Sequence, residues 1–420
     1  MICFVQPNNE YQVRANKIAL SLTFPQLICN LGLSTNYCVY IDGLASISFD
    51  DYIENKCVTH VFITCITSTF PRAVELSRIA KRHGCITVLG GIFATINHSK
   101  IALNYDCFNY IIQGGISSDF IDFLEKKTPE SPLVLAFQRQ DCFSLPLSPI
   151  MLSSEFIDVF DEDYFVCYEL GNGCMYNCSF CTLRKAFGRQ FRQRDPQIIQ
   201  EDLSNLATKW HRLKLIDDDI YPSWSILSKL DLSGFDEIIV ETRINHLTEE
   251  FLSLCKAQGI THIISGVEAF NNSSLNYLNK SADKYWGSAV QSSVELCDKY
   301  GIMLRPVVML NPPFAQESDL LDIIEQTKNW QPEHHVELLL SLFTPHPGMP
   351  LPKGKLLTNY LPDFDHLHLV YVPASLSKLK NTRLIEYYNY IVAQTKSESF
   401  NPSIKIRIGM FDEYKPFFVD

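Results

Sequence analysis

The chain has 420 residues, 46% hydrophobic and 20% charged, with 36 basic against 47 acidic side chains and a formal net charge of −11. That length predicts two or three domains, and the composition excludes disordered, collagen-like and low-complexity classes. The acidic balance repels phosphate backbones with no basic patch to reverse it, so nucleic acid is not an expected partner. No apolar run reaches the roughly 18–20 residues of a membrane-spanning helix, so no membrane partner is expected.

The first residues, Met1-Ile2-Cys3-Phe4-Val5-Gln6-Pro7, show neither a charged leader nor a cleavage site, and the expectation is a soluble cytoplasmic protein. Over 1–130, short apolar runs at 2–5, 37–41, 60–64, 86–89 and 110–113 alternate with stretches of helical period such as 72–82, where Ala73, Leu76, Ile79 and Ala80 fall on one face. Five strands alternating with helices predict an α/β fold with a doubly wound parallel sheet. The Pro- and Ser-rich stretch 131–160 reads as a linker. Alternation restarts over 161–352, with strands expected at 165–170, 213–216, 237–240, 262–264, 304–310 and 336–342, and helices at 196–209, 248–258 and 317–330. Six such units predict a partial or complete parallel barrel with its site at the carboxyl ends of the strands. A C-terminal segment, 353–420, follows with weaker patterning and scattered aromatics such as Tyr387, Tyr388 and Tyr390.

Most of the 14 cysteines stand alone in apolar runs and read as buried thiols of a reducing compartment. Cys174, Cys178 and Cys181 differ. They follow the first strand of the second alternating region in Gly171-Asn172-Gly173-Cys174-Met175-Tyr176-Asn177-Cys178-Ser179-Phe180-Cys181, a C-x3-C-x2-C spacing. Three thiolates on one short loop can wrap one face of a four-iron cubane and leave one iron open to a non-protein ligand. Zinc is the alternative, but its closed sites use four ligands, and neither His nor Cys occurs in the twenty residues after Cys181.

At these residues the chain resembles the radical S-adenosylmethionine (SAM) superfamily, including the aromatic, here Phe180, before the last cysteine. The resemblance runs along 165–351. It takes in Asp217-Asp218-Asp219 after the second barrel strand, Glu241-Thr242-Arg243 after the third, Gly266-Val267-Glu268 after the fourth, Asn311-Pro312-Pro313 after the fifth and Thr344-Pro345-His346-Pro347-Gly348 after the sixth. It implies a [4Fe-4S] cluster on Cys174, Cys178 and Cys181, and reductive cleavage of SAM to methionine and a 5′-deoxyadenosyl radical. The family's Gly-Gly-Glu motif is absent. Asp217 and Asp218 are expected in its place, with a solvated acidic turn as the alternative. Glu241 and Arg243 are expected at the ribose and carboxylate of SAM, with a structural salt bridge as the alternative. Gly266 and Glu268 are expected beside SAM, with Glu268 capping the helix that starts at Asn272 as the alternative.

Over 1–124 the chain resembles cobalamin-binding domains. The segments that carry this are Thr64-Cys65-Ile66-Thr67-Ser68-Thr69, Leu89-Gly90-Gly91 and Gln113-Gly114-Gly115, and the implied corrinoid contacts are Thr64, Thr67, Ser68, Gly90, Gly91, Gly114 and Gly115. Small hydroxyls and glycines at strand ends let a backbone approach a ligand closely. The family's Asp-x-His-x-x-Gly is missing from Gln6-Pro7-Asn8-Asn9-Glu10, and its Gly-Glu-Gly-Glu is Gly114-Gly115-Ile116-Ser117 here. A vestigial domain that roofs the site is the alternative.

The resemblance therefore implies a radical SAM enzyme with a [4Fe-4S] cluster and SAM, and cobalamin-dependent methyl transfer to an unactivated carbon of a small molecule or peptide. It also implies a low-potential electron donor such as flavodoxin or ferredoxin. The alternatives are a cobalamin-free radical SAM rearrangement, oxidation or cyclisation, and a non-catalytic protein on the same scaffold. A methylthiotransferase would carry a second cysteine triad and an RNA-binding module, and neither is recognisable.

Overall fold

The computed structural model describes residues 1–8, 21–116, 118–124, 128–137, 144–280, 286–309, 311–328, 335–341, 343, 352, 354–356 and 371–373. Strands β1 (Ile2–Gln6), β2 (Tyr37–Ile41), β3 (His60–Thr64), β4 (Ile86–Gly90), β5 (Tyr110–Gly114) and β6 (Leu133–Phe137) form one parallel sheet in the order β2-β1-β3-β4-β5-β6. Their interiors are buried almost without alternation, as parallel strands covered on both faces must be. Cys3, Val5, Val61, Ile63, Leu89 and Ile111 pack to one side in a core shared with the helices Phe49–Asn55, Phe70–Arg82 and Ile92–Asn104. The intervening Phe4, Phe62, Val88, Tyr110 and Ile112 pack to the other.

That second face is not capped by the N-terminal region alone. It meets Phe24 and Ile28 of the helix Thr23–Asn30, and then Leu147, Met151, Phe156 and Phe160, in a core continuous with Val166, Tyr168 and Leu213 of the second sheet. The stretch 131–160, expected as a linker, thus contains an edge strand, two short helices (Ser148–Met151 and Ser154–Ile157) and four large buried side chains. Proline and serine hid them: Pro146 and Pro149 bracket a helix start, and β6 alternates exposure too weakly for a five-residue edge strand to stand out.

The second sheet comprises β7 (Phe165–Tyr168), β10 (Arg212–Leu215), β11 (Glu237–Arg243), β12 (His262–Glu268), β13 (Met303–Met309) and β14 (Leu339–Ser341). A small antiparallel pair, β8 (Gly171–Asn172) and β9 (Arg192–Gln193), interrupts them in sequence. The six parallel strands lie side by side in chain order, with helices in the connections, which is the partial barrel the alternation implied. The helices begin where capping residues put them. Asp195, Thr248 and Asn271 each accept a first-turn N–H ahead of Pro196–Leu206, Glu249–Ala257 and Asn272–Leu278. The expected sixth strand shortens to β14, with Val336 touching Leu304 only as an isolated bridge. Of 353–420, an antiparallel pair, β15 (Gly354–Leu356) and β16 (Tyr371–Pro373), is described. Ser117, Thr344-Pro345-His346-Pro347-Gly348 and the tyrosines at 387, 388 and 390 lie outside the described residues.

Candidate active site

The loop that carries the three cysteines leaves β7 at the carboxyl edge of the second sheet. Its path depends on two glycines. A Cβ on Gly171 would lie 2.6 Å from the Arg192 carbonyl oxygen, and one on Gly173 (φ +95°) would lie 1.9 Å from that of Gln190. On its far side the loop is tied to the helix Asn272–Leu278: Ser179 N–H donates to the Leu278 carbonyl (3.0 Å), Ser179 Oγ to the Tyr277 carbonyl (2.7 Å), and Asn279 Nδ2 to the Asn177 carbonyl (2.8 Å). Phe180 packs beside Leu278 and Phe343.

Cys174, Cys178 and Cys181 are half-buried, whereas Cys167, Cys255 and Cys297 of the same region are buried. Burial raises the Cys174 thiol above its ordinary value, so a metal binding there would displace a proton. Among the described residues no three His, Cys, Asp or Glu side chains converge as on a single ion. A zinc centre needs such convergence. A cubane does not, because each thiolate meets a different iron, and three accessible soft donors spaced along one anchored loop fit it.

The acidic run after β10 faces three ways. Asp217 is buried and accepts Leu170 N–H and Gly171 N–H (both 2.9 Å) and the Ser223 hydroxyl (2.9 Å). Burial pushes its carboxyl up to about 8, against the pull of those three donors. Asp218 accepts Gly173 N–H at 2.9 Å. Both therefore hold the backbone of the cysteine loop, although the sequence suggested them as SAM ligands. Asp219 turns into the barrel edge, where Thr242 Oγ1 donates to its Oδ1 at 2.7 Å.

Glu241 and Arg243 also part company. Glu241 pairs with Lys214 Nζ on the neighbouring strand (2.7 Å), and Arg243 reaches up to the cysteine loop, with its Nη1 3.4 Å from Cys178 Sγ. Glu268 does not cap the helix from Asn272, a role taken by Asn271, whose side chain accepts Ser274 N–H at 2.7 Å. It sits instead at φ +67°, at a register shift between Gly266 and Glu268, in a buried ion pair with Lys280 (3.1 Å). A Cβ on Gly266 would fall 2.2 Å from Glu268 Oε1 and 2.9 Å from Lys280 Nζ, so the glycine is what lets the pair lie across β12.

Sequence reasoning missed His246 and Tyr176. With Cys174, Met175, Asp219, Tyr221 and Pro222 they line a cavity of about 260 Å³ beside the cysteine loop. Position was the available signal: His246 follows a charged strand end and Tyr176 stands between two of the cysteines.

At the carboxyl edge of the first sheet, whose strand order reverses between β1 and β3, the ends of β3, β4 and β5 are knitted together. Cys65 N–H donates to the Gly90 carbonyl (3.1 Å), Thr95 Oγ1 to the Gly91 carbonyl (2.9 Å), and Gly114 N–H to Thr95 Oγ1 (3.2 Å). Gly91 (φ +93°) and Gly114 (φ +92°) are glycines for the fold's own sake. Added Cβ atoms there would lie 2.6 Å from the Cys65 carbonyl oxygen, 2.8 Å from Thr64 Oγ1 and 2.5 Å from the Phe137 carbonyl oxygen. Gly90 is different: among the described residues, a Cβ there would meet nothing within 4 Å. Thr67 and Ser68 lie in a short 3₁₀ turn, Thr67–Thr69, after β3, and Gly115 follows β5.

No protein-family model matches the chain. It is 23% identical over 317 residues to bacteriochlorophyllide d C-8(2)-methyltransferase of Chlorobaculum tepidum, spanning 69% of this chain and 66% of that protein. It is 24% identical over 411 residues to the C-12(1)-methyltransferase of the same organism, spanning 93% and 85%. The radical SAM methyltransferase TsrM of Kitasatospora setae, solved with cobalamin and a [4Fe-4S] cluster, superposes with a TM-score of 0.66 at 13% identity, covering 92% of this chain and 90% of TsrM. The chain therefore shares the fold of this radical SAM methyltransferase. A second TsrM structure, with tryptophan and the SAM analogue aza-SAM, superposes with a TM-score of 0.67 at 15% identity, covering 92% of this chain and 88% of TsrM. Within the radical SAM fold, the loop 174–181 stands at the end of the first barrel strand and the acidic run at the end of the second.

Proposed function

We propose that the protein is a radical SAM methyltransferase that uses a [4Fe-4S] cluster, SAM and cobalamin to methylate an unactivated carbon of a small molecule or peptide. The observation that carries this is the pairing of two carboxyl edges in one chain. One is a three-cysteine loop after the first barrel strand; the other is a β2-β1-β3-β4-β5-β6 sheet at whose edge Gly90 has no described neighbour within 4 Å of an added Cβ. A glycine without positive φ or a close neighbour has no steric duty inside the protein, and a ligand tail lying against the backbone would supply one.

When bound, the cluster supplies the electron that cleaves SAM and the corrinoid carries the methyl group. Cys174, Cys178 and Cys181 hold the cluster, and Asp217, Asp218, Ser179 and Asn279 fix the loop on which they stand. Arg243, whose Nη1 reaches Cys178 of the cysteine loop, would meet the carboxylate of SAM. Glu241, two residues earlier on β11 and paired with Lys214, would meet the ribose of SAM or a polar substrate group. Thr64, Thr67, Ser68, Gly90, Gly91, Gly114 and Gly115 border the corrinoid crevice. The electron would come from a flavodoxin- or ferredoxin-type donor, and buried thiols such as Cys3, Cys65 and Cys255 suit the reducing cytoplasm.

The test is anaerobic reconstitution followed by titration with hydroxocobalamin and incubation with SAM and dithionite. About four irons per chain, a saturable corrinoid spectrum and SAM turnover are expected. Since the described part of the loop after β1 offers only Pro7 and Asn8, the bound corrinoid should show no histidine nitrogen on cobalt. Iron and SAM turnover without corrinoid binding would make the cobalamin-free radical reaction the better reading.

A further inference from the structure

Tyr176, between Cys174 and Cys178, is held from two sides. Its hydroxyl lies 2.7 Å from His246 Nε2, and the Arg243 guanidinium lies on its ring, with Cζ 3.9 Å from the centroid. His246 is fixed in turn. It stacks on Tyr221 at 4.1 Å and 21°, and its Nδ1 is 3.3 Å from both Asp219 Oδ2 and Thr242 Oγ1. Among the described residues Asp219 Oδ2 is buried without a hydrogen bond, and the His246 imidazole lies 3.3 Å from it as its ion-pair partner. A carboxylate at Nδ1 fixes the tautomer with the proton there and leaves Nε2 to accept from the Tyr176 hydroxyl. At the end of this series Arg243 Nη1 lies 3.4 Å from Cys178 Sγ, within hydrogen-bond range of sulfur.

Anchoring the loop does not require this arrangement, because Asp217, Asp218, Ser179 and Asn279 already hold it. Keeping a carboxylate at 2% exposure and an imidazole at 8% is costly unless their orientation matters. We infer that Asp219, His246 and Tyr176 are positioning residues for Arg243, and that Arg243, donating to the Cys178 sulfur from its platform on Tyr176, raises the reduction potential of the bound cluster. A hydrogen-bond donor and a positive charge beside a cluster thiolate favour the state that holds the extra electron.

The inference rests on the radical SAM reading, and the experiment separates the two. Full-length protein, reconstituted anaerobically with iron and sulfide and kept free of SAM, is titrated potentiometrically while the paramagnetic resonance of the reduced cluster is followed. Arg243→Met should make reduction about tenfold less favourable, about 59 mV more negative for one electron. Tyr176→Phe, which keeps the ring and loses the bond to His246, and His246→Ala should shift the potential in the same direction by less. The double variant Arg243→Met/His246→Ala should shift no further than Arg243→Met, since His246 acts through the arginine. A wild-type potential in iron-loaded Arg243→Met overturns the inference, as do additive shifts in the double variant. Should Arg243→Met fail to hold iron, Arg243→Lys is read instead, with the same sign expected and an unchanged potential counting against it. Wild-type protein that takes up no cluster overturns the radical SAM reading itself, and the inference with it.

Discussion

Among the described cysteines of the barrel region, Cys174, Cys178 and Cys181 are accessible enough to be ligands, whereas Cys167, Cys255 and Cys297 are buried. Cys255 lies in the core with its thiol pushed up to about 12, a poor nucleophile and a poor ligand. Iron content and the brown chromophore should therefore vanish in Cys174→Ala, Cys178→Ala and Cys181→Ala, and persist in Cys255→Ala; a coloured triple variant would remove the cluster assignment. The Glu268–Lys280 pair is the other residue-scale commitment. Both side chains are 7% exposed, and Glu268 holds a left-handed backbone to reach its partner. Lys280→Met leaves that carboxylate buried and uncompensated, at a cost of about 3–5 kcal/mol. Urea unfolding should show the loss, and a variant as stable as wild type would mean that water reaches the site.

Among the elements, the strand ends divide into glycines the fold needs and one it does not. Gly114→Val meets the Phe137 carbonyl and a φ of +92°, so it should lower the melting temperature whether or not a corrinoid binds. Gly90→Val meets open space and should fold within about 0.5 kcal/mol of wild type. It should nevertheless lose hydroxocobalamin binding while keeping its iron. Normal corrinoid affinity in Gly90→Val would place the ligand elsewhere. The acidic run works at this scale too. Asp217→Ala strands the N–H groups of Leu170 and Gly171 in a buried place, a loss of about 1–3 kcal/mol for each unsatisfied donor.

Across the whole molecule the two sheets are not beads on a string. Leu147, Met151, Phe156 and Phe160 fill the space between them, and Asp202 of the barrel accepts Leu147 N–H, Ser148 N–H and the Tyr168 hydroxyl. Gln26 of the first region reaches Glu169 at the end of β7. A shared core of this kind should unfold as one unit. Calorimetry of the apoprotein should show a single transition, and two resolved transitions would show that the contact contributes little. The connection also holds the carboxyl edges of both sheets together, as the two-cofactor reaction proposed above requires.

The sequence by itself determined the two alternating strand-helix regions, though not the strand and helices within 131–160, because hydrophobic periodicity and capping residues act over a few neighbours. It determined the cysteine loop for the same reason, since all three thiols and both turn glycines fall within one short segment. What only the tertiary structure decided was direction. Asp217, Asp218 and Asp219 are consecutive, yet the first two serve the loop backbone and the third serves His246. Glu241 and Arg243 are two residues apart, yet one meets Lys214 and the other Cys178. Those destinations depend on which strands become neighbours, and β10, β11 and the cysteine loop meet only after the connections between them have folded back, so no local pattern encodes them.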